Sequence, residues 1–288
     1  MIIFHNVEVA VSGATSLALI SFQGGAVPAP QWPGPAPDSR GSGLTGSRPP
    51  KAAMLVAQRI VRDIGRAGLR PGDLLPPERA MLETYETGRG TLREALRLLE
   101  FQGVIALKPG PGGGPILLNP AASHLASTLQ LLMQLNQAPY RAVVEARLAL
   151  EPVISRLAAE RVSDESLAEL AASLGQMRGN LDDRDWFRDA GRRFHGVIAW
   201  SAGNVMFGYL VNALLGILDG TVIGIDNPGD RRAAILRAHE EIYAAIARHD
   251  AAAAGERMRE HIEAYSRYAQ GKFPEVLDQT ISWDRLPG

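Results

Sequence analysis

From Lys51 onward, apolar residues recur at helical spacing, in runs separated by short polar, glycine or proline breaks. In KAAMLVAQRIVRDIGRAGL, Met54, Leu55, Ile60, Val61 and Ile64 fall near the three- and four-residue steps of one helix face. Gly68 ends that run and RPGD makes a turn. PPERAMLETY then opens with proline at a helix start and puts Glu78 in the first turn, where an acid interacts well with the helix dipole. After a short turn at Glu86–Gly88, RGTLREALRLLEFQG predicts another helix, closed by Gly103. VIALK and PILL read as two short β-strands around PGPGGG. Three helices followed by a two-stranded hairpin is the pattern of a winged helix-turn-helix.

The pattern changes at Ala121. Long alanine- and leucine-rich amphipathic segments follow, at roughly 121–136, 139–162, 164–181, 184–201, 204–219, 230–248 and 251–270. Breaks fall at Pro139, Ser163, GNLDD, SAGN, NPGD and RHD. No useful strand alternation appears after Leu118, which predicts an all-α helical bundle. The fold expected is mainly α, a winged helix-turn-helix followed by that bundle. The layout predicted is a disordered extension over 1–47, a winged helix-turn-helix domain over 48–119, a linker helix over 120–138, a helical domain over 139–270 and a tail over 271–288.

Composition sharpens this picture at a few points. Residues 24–50 are too rich in Gly, Pro and Ser to build a packed core. The 288 residues contain no cysteine, which excludes disulfides, thiolate metal sites and cysteine nucleophiles. Net charge is −1, but residues 51–115 carry ten Lys and Arg against seven Asp and Glu, whereas residues 116–288 carry eighteen against twenty-two. The mild basic excess singles out the first region as the one that meets an anion. The apolar start, MIIFHNVEVAVSGATSLALISF, lacks a basic n-region and contains Glu8, so it reads poorly as a signal peptide. No apolar stretch is long enough to span a bilayer, and a cytoplasmic protein is expected.

PGPGGG raises the question of a phosphate cradle. A nucleotide-binding glycine motif leaves a strand and opens a helix. Here strand pattern lies on both sides and no Lys-Ser/Thr pair follows, so a P-loop and a dinucleotide fingerprint are both excluded. A plain hairpin turn and a wing lying along a DNA groove remain. Arg89, Arg93 and Arg97 form one stripe of the preceding helix, while Leu92, Ala95, Leu96 and Leu99 form a separate apolar face. Such a helix suits a major groove. It equally suits a solvated surface with the arginines paired to Glu94 and Glu100.

Residues 51–118, and above all PGDLLPPER, RGTLREALRLLEFQGV and the glycine-rich wing, resemble the DNA-binding domain of the GntR family of bacterial transcription regulators. The resemblance implies that Arg79, Arg89 and Arg93 contact an operator, with Thr91 near the DNA backbone and Gly112, Gly113 and Gly114 at the wing tip. This chain has Gly88 where the family often has serine, which removes one potential phosphate hydrogen bond. Residues 139–270 are similar to the FadR-type helical domain, FCD, through VVEARLALEPVISRLAAERV, RRFHGVIAWSAGN and AHEEIYAAIARHDAAAAGERMREHIEAY.

Many members of that subfamily bind a divalent metal with one aspartate and three histidines. The matching histidines are His195, His239 and His261. The position of the aspartate, one turn before the first histidine, is Gly191, and Asp189 lies about 120° round the helix from His195, poorly placed to replace it. Three neutral histidines still suit zinc or another divalent transition metal with an open position for a carboxylate. The alternative is a polar pocket without metal. Arg147, on an otherwise apolar helix, has two available partners, Glu151 one turn on and a carboxylate-bearing effector. The function expected is a ligand-responsive transcriptional regulator, more often a repressor, binding a palindromic operator on double-stranded DNA as a homodimer. The rival classes are a metal-dependent helical-bundle enzyme using the three histidines and a helical interaction protein with no DNA role. The enzyme reading lacks an acidic motif placed as general base.

Overall fold

The computed structural model describes residues 51–110, 113–119, 121–218 and 224–283. The extension over 1–47 therefore lies outside the described residues, as does Gly112. Helices α1 (Lys51–Ala67), α2 (Glu78–Tyr85) and α3 (Arg89–Phe101) precede strands β1 (Ile105–Lys108) and β2 (Gly114–Leu117). Then come α4 (Ala122–Leu135), α5 (Tyr140–Arg161), α6 (Asp164–Gly179), α7 (Arg184–Ser201), α8 (Val205–Ile217), α9 (Gly229–Ala247), α10 (Ala251–Lys272) and α11 (Pro274–Asp278).

The first five elements close around their own core. Val56, Ala57 and Ile60 of α1, Met81 and Tyr85 of α2, and Leu92, Ala95, Leu96 and Leu99 of α3 are buried together with Ile105 and Leu117 of the strands. Full burial of a leucine, isoleucine, valine or methionine among them is worth about 1.5–3 kcal/mol. The strands are antiparallel, with Ile105 opposite Leu117 and Lys108 opposite Gly114. The segment after the RPGD turn lines their free edge, through Gly72 N–H to the Leu117 carbonyl and Leu75 N–H to the Pro115 carbonyl, both 2.8 Å. Gly103 ends α3 at φ +67°, a left-handed conformation that glycine adopts without strain. A β-carbon there would also meet the imidazole of His124 on α4 at 2.1 Å.

The breaks read from the sequence in the helical region act as caps. Ser163, Asp183, Asn204 and Asp250 each accept a hydrogen bond from the first turn of the helix that follows. Pro139 and Pro228 stand immediately before α5 and α9, where a missing N–H costs nothing. One core gathers α5, α6, α7, α9 and α10 around Ile154, Met177, Phe194, Ile198, Ile242 and Ile262. A second gathers α4, α5 and α8 around Tyr140, Val143, Leu214 and Ile217. The segment 271–288, expected as a tail, belongs to this second core in its described part. Leu277 and Ile281 are buried there, Ile281 N–H donates to the Ala138 carbonyl, and the indole N–H of Trp283 donates to Ser127 Oγ at 2.8 Å.

Candidate functional site

Two sites emerge, one on each folded region. On the first, α3 buries Leu92, Ala95, Leu96 and Leu99, which turns Arg89, Arg93 and Arg97 outward. Arg93 Nε lies 3.4 Å from a Glu78 carboxylate oxygen on α2, and Arg79 Nε 3.5 Å from Glu83. The pairing considered with Glu94 and Glu100 is not what forms. Arg93 turns to Glu78, because α2 and α3 bring those side chains together, and Glu100 accepts the Leu107 N–H of the wing at 3.3 Å. Arg89 and Arg97 have no ion pair among the described residues. Thr91 is half-buried one turn into the helix. Gly88 is the N-cap of α3 and makes no side-chain cap, so the first turn keeps open N–H groups.

The wing turn depends on glycine at one place above all. A β-carbon on Gly113 would lie 2.2 Å from the Lys108 carbonyl oxygen, far inside van der Waals contact. Gly114, expected at the tip with Gly112 and Gly113, is instead the first residue of β2, opposite Lys108. Arg93 and Arg97 of α3 line a recess whose other wall is Leu107, Gly113 and Gly114 of the wing. Helix, recess and wing form one outward-facing surface with its cationic side chains in solvent.

The second site lies inside the helical bundle. α7 supplies His195, α9 His239 and α10 His261, and one nitrogen from each lies within 4.8 Å of the others. The Nε2 atoms of His239 and His261 are 3.1 Å apart. Two of the rings are held from behind. His195 Nδ1 meets a Glu151 carboxylate oxygen at 2.5 Å, and His239 Nδ1 meets the Met177 sulfur at 3.3 Å. Phe194 stacks on His239 with ring centres 4.5 Å apart and planes 11° from parallel. Arg147 holds the other oxygen of Glu151 through its Nε. Arg147 also lines the cavity in front of the histidines. The Arg147–Glu151 pair is thus fully inside the protein, not on a helix surface, because α5 is packed against α7 and α10.

Burial shapes the protonation of these groups. It pushes His239 and His261 well below the usual imidazole range, helped by the neighbouring histidines and Arg147, so both rings are neutral at pH 7. Burial would raise Glu151, but the charges and hydrogen bonds of Arg147 and His195 outweigh it and hold its carboxyl well below the carboxylate range. Converging imidazole nitrogens are the donor set of a metal site, and the Glu151 carboxylate behind His195 orients that ring and aims its far nitrogen. Zn–N bonds of about 2.0–2.1 Å set tetrahedral ligand nitrogens about 3.3 Å apart. The His239–His261 separation already fits that spacing.

Gly191 faces this cluster, with the position of a β-carbon 3.7 Å from His239 Cε1. Asp189 does not join it. That carboxylate is exposed and lies 3.1 Å from Arg188. The cavity, about 140 Å³, is also lined by residues that the sequence reading passed over. They include Tyr265, Asn227, Arg232 and the α7 arginines Arg184, Arg188 and Arg192. The α7 arginines had a visible signal in their four-residue spacing, disguised by the interleaved Asp185 and Asp189. The link from Glu151 to His195 spans 44 positions and had none.

Residues 53–113 match the family described as bacterial regulatory proteins, gntR family, and residues 142–264 match the FCD domain. The HTH-type transcriptional regulator YcbG of Bacillus subtilis is 31% identical over 227 residues, which cover 79% of this chain and 92% of that protein. This chain belongs to the GntR family. Its relatives include LutR of Bacillus subtilis, an HTH-type transcriptional regulator 26% identical over 72% of this chain and 96% of its own length. The galactonate operon transcriptional repressor of Escherichia coli is 31% identical over 51% of this chain and 66% of its own length. A solved structure of a Streptococcus agalactiae GntR protein shares the fold at a TM-score of 0.59 and 24% identity, covering 75% of this chain and 99% of that one. As a GntR protein with an FCD domain, the chain is a ligand-responsive, DNA-binding transcription regulator and not an enzyme. No helix among the described residues is long and apolar enough to cross a membrane.

Proposed function

We propose that this GntR protein is a repressor that binds a palindromic operator as a homodimer and is released by a small carboxylate taken into the helical domain. Arg89 and Arg93 enter the major groove, and Arg79 and Thr91 hold the backbone. The glycine turn at Gly113, where no side chain fits, lets the wing approach the phosphates closely. The exposure and weak pairing of the α3 arginines support these roles, because a guanidinium held only by a solvated carboxylate exchanges it readily for DNA. Two-fold pairing presents two recognition helices to two half-sites. The effector acts by favouring dimer geometries that no longer match the half-site spacing.

The observation that carries the ligand half of the reading is the convergence of three inward-facing imidazoles beside Arg147. His195, His239 and His261 would hold a divalent transition metal, with zinc the best fit to three nitrogen donors. Such an ion supplies a Lewis-acid anchor for an oxygen ligand. Gly191 contributes no carboxylate, so a coordination position stays open for the effector's own. Arg147, held by Glu151 through its Nε and lining the same cavity, keeps N–H donors that would meet the same carboxylate.

Two measurements test the halves separately. Retardation of DNA from the protein's own upstream region, at two salt concentrations, should show salt-sensitive binding that Arg93→Ala weakens at least tenfold. Binding indifferent to that change rejects α3 as the reading helix. Elemental analysis should find about one metal per chain in the wild type and far less in His239→Ala. Equal contents end the three-histidine reading.

A further inference from the structure

Among the described residues, no carboxylate joins the three converging histidines, and none lines the cavity in front of them. Glu151, which touches His195, has one oxygen on Arg147 Nε and the other on His195 Nδ1. Asp189, the nearest acid before His195 in the chain, is exposed and pairs with Arg188. Met177 offers its sulfur to Nδ1 of His239, whereas the nitrogen of that ring facing His261 is Nε2. The thioether therefore stands behind the ring, away from the point where the nitrogens converge. Gly191 is the position from which a carboxylate could reach that point. A β-carbon there would lie 3.7 Å from His239 Cε1 and 3.8 Å from Met177 Cε, ordinary contact distances, so an aspartate would fit where this chain has none.

Zinc takes four ligands in a tetrahedron, and imidazoles bring it no negative charge. A dication on neutral donors keeps its full charge in a low-dielectric interior, which is costly unless an anion joins it. Glu151 does not offset that charge, because Arg147 already balances its carboxylate. We propose that the effector's carboxylate is the anionic ligand of this site, so that metal and acid bind as a pair and each tightens the other. The inference rests on the metal and carboxylate reading above. It goes beyond that reading by making the metal a second input instead of a fixed part of the protein. By linkage, the factor by which the acid raises metal affinity equals the factor by which the metal raises acid affinity. The response to the acid is then set by metal supply as well as by the acid itself.

The test is zinc titration of the full-length protein, first stripped of metal, in competition with a chelating dye and in chloride-free buffer. It is run alone, with acetate, butyrate or benzoate in excess, and with the uncharged amide of each acid as control. At least one carboxylate should tighten zinc binding tenfold or more, and its amide less than threefold. Calorimetry with that carboxylate should give the same factor between zinc-loaded and stripped protein. Gly191→Asp carries its own carboxylate, so it should hold zinc more tightly than the wild type without any acid, and its coupling should fall below threefold. Gly191→Asn has the same shape without the charge and should keep the coupling, which separates the role of the anion from a folding defect. Zinc binding that no carboxylate changes, or a coupling that survives Gly191→Asp, overturns the pairing and leaves the three-histidine site standing. Absence of zinc binding with and without every carboxylate overturns both.

Discussion

Arginine does opposite work in the two halves of this protein. On α3, Arg93 stands largely in solvent, 3.4 Å from Glu78, whose side chain is also exposed. On α5, Arg147 is 7% exposed and locked to Glu151, which is itself locked to His195. The solvent-exposed pair costs almost nothing to open, so its guanidinium is available to a partner as large as DNA. The buried triad cannot open without stranding a charge in the bundle, so it serves as a fixed frame behind a small ligand. A surface meant to exchange partners and a pocket meant to hold a geometry are thus built from the same residue type at different depths.

Substitutions that treat both pairs alike should expose the difference. Glu151→Ala leaves Arg147 buried and uncompensated, a loss of about 3–5 kcal/mol. At about 2–4 °C per kcal/mol, calorimetry should record a fall of about 10 °C in the unfolding of the helical domain. A fall under about 3 °C would mean the triad is not the frame described. Next in size, Gly191→Asp places a carboxylate against the histidines and should raise zinc affinity at least tenfold in competition with a chelating dye. The same change should weaken carboxylate effectors, because it fills their coordination position.

A smaller effect comes from acid. In metal-free protein, burial holds His239 and His261 neutral, below their unfolded pKa near 6.5. The unfolded chain therefore takes up protons first as pH falls below about 6.5. The histidines' contribution to stability is whole above that pH and drains away beneath it. Glu151, also depressed, adds its loss only below about 4.5, its unfolded value. The melting temperature should drop by a few degrees between pH 7 and 5.5, and less in His239→Ala. Smallest is the stability effect of Arg93→Ala, which should shift melting by no more than roughly 3 °C while DNA binding collapses.

The helices, the wing and the two-part architecture were legible in the sequence because each depends on local rules, apolar period and cap residues. Ser163, Asp183, Asn204 and Asp250 mark helix starts in the chain and do so in the fold. The three histidines were legible through family resemblance, but their convergence depends on how α7, α9 and α10 pack. The partner of Arg93 could not be read for the same reason. Sequence spacing nominates Glu94 and Glu100 on the same helix, whereas the real partner, Glu78, arrives from α2. The order of the segment after Lys272 was invisible too, since five helical residues and one bridge carry no period to detect.

That last segment has a consequence for how the protein is made. Helix α4, which joins the two regions, is fastened by Trp283 through both Gln134 and Ser127, and its exit at Ala138 is sealed by Ile281. The core of the DNA-binding region, by contrast, is complete once Leu117 has been added. At about 5–20 residues per second, a ribosome needs roughly ten to thirty seconds to travel from one point to the other. For that interval a finished DNA-binding head emerges on an unfastened neck. Nascent chains should acquire protease resistance in two steps, the head early and the neck only after residue 283 clears the exit tunnel.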